Sequence, residues 1–157
     1  MPASVEQNDC LVPREPLSGT VLYVEDDEND VVFMRVGFRK AGLPYALEIT
    51  TDGREAMDYL AGNGRYADRA AHPLPCLVLL DLNAPGLCGF DFLQWVRQQP
   101  PFHDLPVVLF TGTSRETDKD RARQLGANEL VIKPGDVSQL PKLLEGIVER
   151  WLVKPER

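Results

Sequence analysis

Cys76-Leu77-Val78-Leu79-Leu80-Asp81-Leu82-Asn83-Ala84-Pro85-Gly86 decides how the rest of the chain is read. An uncharged apolar run leads straight into an acid, and a Pro-Gly turn follows. A continuous apolar run of strand length, closed by turn residues, is the pattern of a strand buried on both faces. Asp81 stands where that strand ends, and in open α/β sheets ligands bind outside the carboxyl ends of strands.

Similar apolar runs recur on either side of this strand. Thr20-Val21-Leu22-Tyr23-Val24 ends in the acidic run Glu25-Asp26-Asp27-Glu28, and 3,4-spaced Val31, Met34, Phe38 and Ala41 predict a helix over residues 29–41, stopped by Gly42. Tyr45 to Thr50 reads as a second strand. Asp52-Gly-Arg-Glu55 opens a second helix with capping-box spacing, with Ala56, Met57, Tyr59 and Leu60 on its apolar side. Residues 62–75 read as a polar loop punctuated by Gly and Pro. Beyond the central strand, Phe90, Leu93, Trp95, Val96 and Arg97 predict a third helix that stops at Pro100-Pro101. Pro106 to Phe110 and Glu129 to Ile132 are the fourth and fifth strands. The helix between them, expected from Ser114 to Leu125 with Thr113 and Glu116 at capping-box spacing, is almost wholly polar and should be weakly held. Leu140, Leu143, Leu144, Ile147, Val148 and Trp151 stripe a closing helix that starts near Ser138 and places Pro141 in its first turn.

Five alternations of strand and helix predict an α/β fold, a single doubly wound five-stranded parallel sheet in the order 2-1-3-4-5. Residues 1–18 carry three prolines and no periodicity, and read as a flexible leader ahead of a domain over 19–157. A net charge of −7 argues against nucleic acid as partner. The sequence holds no apolar run of membrane-spanning length and no signal pattern. Cys10, Cys76 and Cys88 are odd in number and lack metal-type pairing, which fits a reduced, cytoplasmic setting. His72 and His103 sit beside or near prolines without a second ligand at helical spacing, so both read as surface residues rather than zinc ligands.

In a parallel sheet all strand C-termini share one edge. Glu25 and Asp26, then Asp81, Thr111 and Lys133 follow the first, third, fourth and fifth strands. A lone acid there is most often a helix cap, a lone Thr a cap and a lone Lys a surface residue. The acidic run could equally be favourable charge at the next helix's N-terminus. The conjunction at four strand ends is harder to dismiss. Three carboxylates held together repel, so a cation joins them or one takes up a proton. An all-oxygen site open to water suits Mg²⁺. Asp81 beside that ion and Lys133 is placed to accept a phosphoryl group, with Thr111 and the backbone N–H of Gly112 as further donors.

On Val24-Glu25-Asp26-Asp27, Leu80-Asp81-Leu82-Asn83-Ala84-Pro85-Gly86 with Gly89, Thr111-Gly112, Gly126-Ala127 and Lys133-Pro134, the chain resembles the receiver domain of two-component response regulators over about residues 19 to 153. The loop before Cys76 and the run after Thr111 look most like small single-domain regulators that partner phytochrome-type or other, including hybrid, sensor histidine kinases. The resemblance implies a flavodoxin-like (βα)5 fold and a phosphorylated Asp81. It implies Asp26 as direct metal ligand, Glu25 as its neighbour acting through water, and a backbone carbonyl from Asn83. Thr111 and Lys133 match the switch hydroxyl and the phosphate-pairing lysine. It also implies signalling through the fourth-helix, fifth-strand and fifth-helix face, with pairing of two copies there, to which Leu130, Trp151 and Leu152 could add apolar area, although a Trp such as Trp151 more often simply packs on the sheet. Two departures stand out. Leu130 occupies the switch position where receivers commonly carry Tyr or Phe, and Gly135 replaces a bulky residue after Lys-Pro.

With the chain ending soon after its fifth helix, the expectation is a phosphoacceptor without an output domain rather than an enzyme with a separate small-molecule substrate. A pseudo-receiver that binds partners without phosphorylation would be expected to have a broken acidic site. A Mg²⁺-dependent phosphatase would need a second acid where Asn83 stands. No Gly-x-x-x-x-Gly-Lys loop is present for nucleotide hydrolysis.

Overall fold

The computed structural model describes residues 19–82, 89–112 and 115–152. Strands β1 (Gly19–Val24), β2 (Tyr45–Thr50), β3 (Leu77–Leu80), β4 (Val107–Thr111) and β5 (Glu129–Ile132) form one parallel sheet in the order β2-β1-β3-β4-β5. The helices are α1 (Glu28–Ala41), α2 (Gly53–Ala61), α3 (Gly89–Gln98), α4 (Glu116–Gln124) and α5 (Leu140–Trp151). The expected architecture and strand order are those observed, and the expected leader over 1–18 lies outside the described residues.

Strand alternation divides the core into two layers. Leu22, Val24, Val78, Leu80, Val107 and Leu109 face α2 and α3, with Ala122 of α4. Val21, Tyr23, Leu77, Leu79, Val108, Phe110 and Val131 face Met34 and Phe38 of α1 and Leu140, Leu144 and Ile147 of α5. The central strand β3 is buried throughout, as its unbroken apolar run requires. Gly37 lets α1 lie close to α5, for a Cβ there would stand 3.0 Å from Leu140 Cγ.

Local signals set the helix ends. Asp27 caps α1, its carboxylate accepting from the backbone N–H of Asn29 and Asp30 at 2.8 and 3.2 Å. Asp52 caps α2 by accepting from Glu55 N at 2.8 Å, and Glu55 reaches back to Thr51 N rather than to the cap residue itself. The closing helix is preceded by a 3₁₀ turn, Val137–Gln139, and Pro141 falls in the first turn of α5, where its missing N–H costs nothing. Helix α4 starts later than expected, entered through Arg115 with no side-chain cap, and Thr113 and Ser114 lie outside the described residues. Its one buried residue is Ala122, whereas α5 buries Leu140, Leu144, Ile147 and Val148. At about 1.5–3 kcal/mol per large apolar side chain, α5 is much the more firmly held.

The loop before β3 is more ordered than its composition suggests. It contains a 3₁₀ turn, Gly64–Tyr66, with Tyr66 buried. The Arg69 guanidinium donates to the carbonyls of Tyr59, Leu60 and His72, tying the loop to the end of α2. His72, expected on the surface, is instead half-buried, its ring edge-on to Tyr59 and Tyr66 at 5.8 and 5.0 Å. Tyr59 lies in α2 and Tyr66 in the loop, so linear spacing conceals the cluster of rings that they form with His72. His103 is exposed beside Asp104, as expected. No helix among the described residues is long and apolar enough to cross a membrane.

Candidate functional site

Strand register places the chemistry. Val24 pairs with Leu80, so Glu25 and Asp81 leave the sheet side by side, and Asp81 N donates to Val24 O at 3.2 Å. Thr111 pairs with Ile132, so Lys133 emerges next to it, with Lys133 N donating to Thr111 O at 2.7 Å. Glu25, Asp81 and Thr111 are buried, and Asp26 is exposed. Carboxylate oxygens of Glu25, Asp26 and Asp81 lie within 4.8 Å of one another.

Lys133 Nζ donates to Glu25 Oε1 at 2.7 Å, Asp30 Oδ2 at 2.8 Å and Asp81 Oδ2 at 3.3 Å. Burial works against this ammonium, but hydrogen bonds to Asp30 and Glu25 and the charge of Asp81 outweigh it and raise its pKa. Glu25 shifts the other way for an acid. Burial raises its pKa and Asp81 adds to the rise, more than the Lys133 hydrogen bond offsets. Tyr23 donates to Glu25 Oε1 at 2.8 Å, and burial together with that carboxylate pushes the phenol well above its usual range. Four acids therefore crowd one ammonium, leaving excess negative charge in a donor set made wholly of oxygen. That set suits a hard divalent cation.

The structure brings together Glu25, Asp26, Asp81 and Lys133, with Thr111 at the adjacent strand end. Gly112 is exposed, with nothing within 4 Å of where a Cβ would stand, so its backbone is open to approach. Asn83 lies outside the described residues, as do Cys10 and Cys88. Leu130 lies within β5, away from the strand C-termini where the site collects. It pairs with Leu109 one turn of the pleat earlier, packs against the α2–α3 layer, and lines a cavity of about 330 Å³ with Lys119 and Ala122 of α4. Trp151 packs partly against the other layer, its Nε1 donating to Glu129 at 2.7 Å.

Two participants escaped the strand-end reasoning. Tyr23 lies within β1, where it reads as core. Asp30 lies in the first turn of α1, where an acid reads as a complement to the helix dipole. The acidic run divides its roles between the two readings open to it: Asp27 caps the helix, while Glu25 and Asp26 join the cluster.

The family model described as the response regulator receiver domain matches residues 21–145. The chain is 30% identical over 152 residues to the probable methanogenesis regulatory protein FilR2 of Methanothrix harundinacea, covering 97% of this chain and 94% of that one. It is 32% identical over 132 residues to the response regulator Rcp1 of Synechocystis sp., covering 84% and 88%. The Mn²⁺-bound form of Rcp1 superposes with a TM-score of 0.76 at 30% identity, covering 88% of this chain and 97% of that one. The phosphorylated cyanobacterial phytochrome response regulator RcpA superposes with a TM-score of 0.79 at 30% identity, covering 88% and 96%.

Proposed function

The chain belongs to the response regulator receiver family, and on that premise we propose that it accepts a phosphoryl group on Asp81 from the phosphohistidine of a sensor histidine kinase. One juxtaposition carries the reading: Lys133 Nζ stands 3.3 Å from Asp81 and 2.7 Å from Glu25, against a cluster of three carboxylates. An Asp81 oxygen attacks phosphorus opposite the P–N bond. The C–O–P link of an acyl phosphate forms as that bond breaks, and the imidazole keeps the electron pair and takes a proton. Lys133 then meets the charge on the phosphoryl oxygens, and the Thr111 hydroxyl and Gly112 N–H donate to them.

Asp26 and Asp81 would hold Mg²⁺ directly, Glu25 through water, and Asn83 through its backbone carbonyl. When bound, that ion supplies Lewis-acid neutralisation of the phosphoryl oxygens and relieves the repulsion among the carboxylates. The likeness to RcpA, a phytochrome response regulator, favours a phytochrome-type sensor kinase as donor over another or a hybrid one, and the setting in this scheme is the cytoplasm. The protein turns over no separate small-molecule substrate in this scheme.

Phosphorylation is read out through the α4–β5–α5 face. Helix α4 buries one alanine and is the natural moving part. The cavity beside Leu130 leaves that helix room to settle, in place of a swinging aromatic ring. Two copies pair through this face in the phosphorylated state.

Incubation with Mg²⁺ and acetyl phosphate, followed by intact mass of the native protein, should show one added phosphoryl group. Chelation of the ion or Asp81→Asn should abolish it. An unmodified native protein, or an adduct that survives Asp81→Asn, overturns the reading.

A further inference from the structure

An ammonium has three N–H donors, and all three on Lys133 are committed to carboxylates from three separate stretches, just after β1, in α1 and just after β3. Two legs are short, to Glu25 at 2.7 Å and Asp30 at 2.8 Å, and the third, to Asp81, is 3.3 Å. Charge-assisted N–H···O bonds are strongest near 2.7–2.9 Å and weaken beyond that. The long leg is therefore the exchangeable one, and it points at the proposed phosphoryl acceptor.

We propose that Asp30 is a positioning residue for phosphoryl transfer: it anchors Lys133 from α1, so that the ammonium's third N–H stays aimed at the oxygens on Asp81. This rests on the phosphoacceptor reading above. The lysine side chain is long and rotamer-rich, and one partner alone would leave Nζ free to swing about it. Glu25 and Asp30 together fix it from two sides. Asp30 is itself fixed, because Asp27 caps α1 and its carboxylate accepts from Asp30 N at 3.2 Å. When a phosphoryl group arrives, one weak bond is exchanged and two strong ones persist, so little reorganisation is needed at the moment of transfer.

The bland account of Asp30 is helix-dipole complementarity, and Glu28 separates the two. Glu28 is an exposed acid in the same first turn, so Glu28→Gln removes equal charge from the helix terminus. The measurement is the rate of phosphorylation by acetyl phosphate with saturating Mg²⁺, across donor concentrations, for native protein, Asp30→Ala, Asp30→Asn and Glu28→Gln. Melting curves establish that each variant is folded. Asp30→Ala should lower the maximal rate roughly tenfold or more while changing the half-saturating donor concentration by less than about twofold. Asp30→Asn retains an acceptor oxygen and should fall between, and Glu28→Gln should stay within about twofold of native. A folded Asp30→Ala as fast as native, or a Glu28→Gln loss as large as that of Asp30→Ala, overturns the proposal while leaving the phosphoacceptor reading intact. Native protein that takes no phosphate overturns that reading itself.

Discussion

Glu25 is 1% exposed, accepts hydrogen bonds from Tyr23 and Lys133, and faces Asp81. Its raised pKa has a consequence for stability. An acid whose folded pKa lies above its unfolded one binds its proton more readily when folded. Between the two values the unfolded state holds fewer protons, so stability falls as pH rises, by up to about 1.4 kcal/mol per pH unit for one proton. The metal-free protein should therefore lose stability as pH climbs above the ordinary carboxylate range, and Glu25→Gln should flatten that slope. Denaturant unfolding at stepped pH reads it, and a slope unchanged by the substitution contradicts the assignment. At this scale the sequence shows what each strand end delivers, because a parallel sheet aligns those ends whatever the side chains do. It does not show Asp30 or Tyr23 at the site. Their roles depend on the rotation of α1 and on which residue of the acidic run caps it, and Asp27 takes that place.

Helices α4 and α5, of 9 and 12 residues, differ most in how they are attached. Helix α5 carries a full apolar stripe, while α4 is held chiefly by Ala122 and by Arg121 lying over the Phe90 ring at 4.6 Å. Amide hydrogen exchange should be at least about tenfold faster in residues 116–124 than in the middle of α5, because local opening of α4 exposes little apolar surface. Equal protection in the two helices would remove α4 as the switching element. This contrast was legible from the spacing of apolar residues alone. The start of α4 was not, since Thr113 and Glu116 have capping-box spacing yet the helix is entered through Arg115. The order of the loop before β3 was also hidden, because Arg69 holds it through backbone carbonyls, which no sequence pattern advertises.

For the molecule as a whole, alternation of apolar strands with helices leads directly to the sheet order, and the register then assembles the site from residues 108 positions apart. The surface is less readable from sequence. Leu130, expected to add area to a pairing face, and Trp151, for which packing on the sheet was the favoured expectation, are both partly buried in the fold's own core layers, and Ile132 of β5 is left 38% exposed. A pairing face with so little apolar area should be weak and state-dependent. Sedimentation equilibrium should give a monomer for the unmodified protein and a rising dimer fraction with Mg²⁺ and beryllofluoride, and a monomer in both conditions rejects pairing. Every step of the proposed signalling depends on Asp81 as phosphoacceptor, and locating the modification tests that most directly. Protein treated with Mg²⁺ and acetyl phosphate is reduced with borohydride, which converts an acyl phosphate to an alcohol, and is then mapped by peptide mass. Homoserine is expected at position 81 and nowhere else; an unmodified Asp81, or reduction at another acid, rules out Asp81 as the phosphoacceptor.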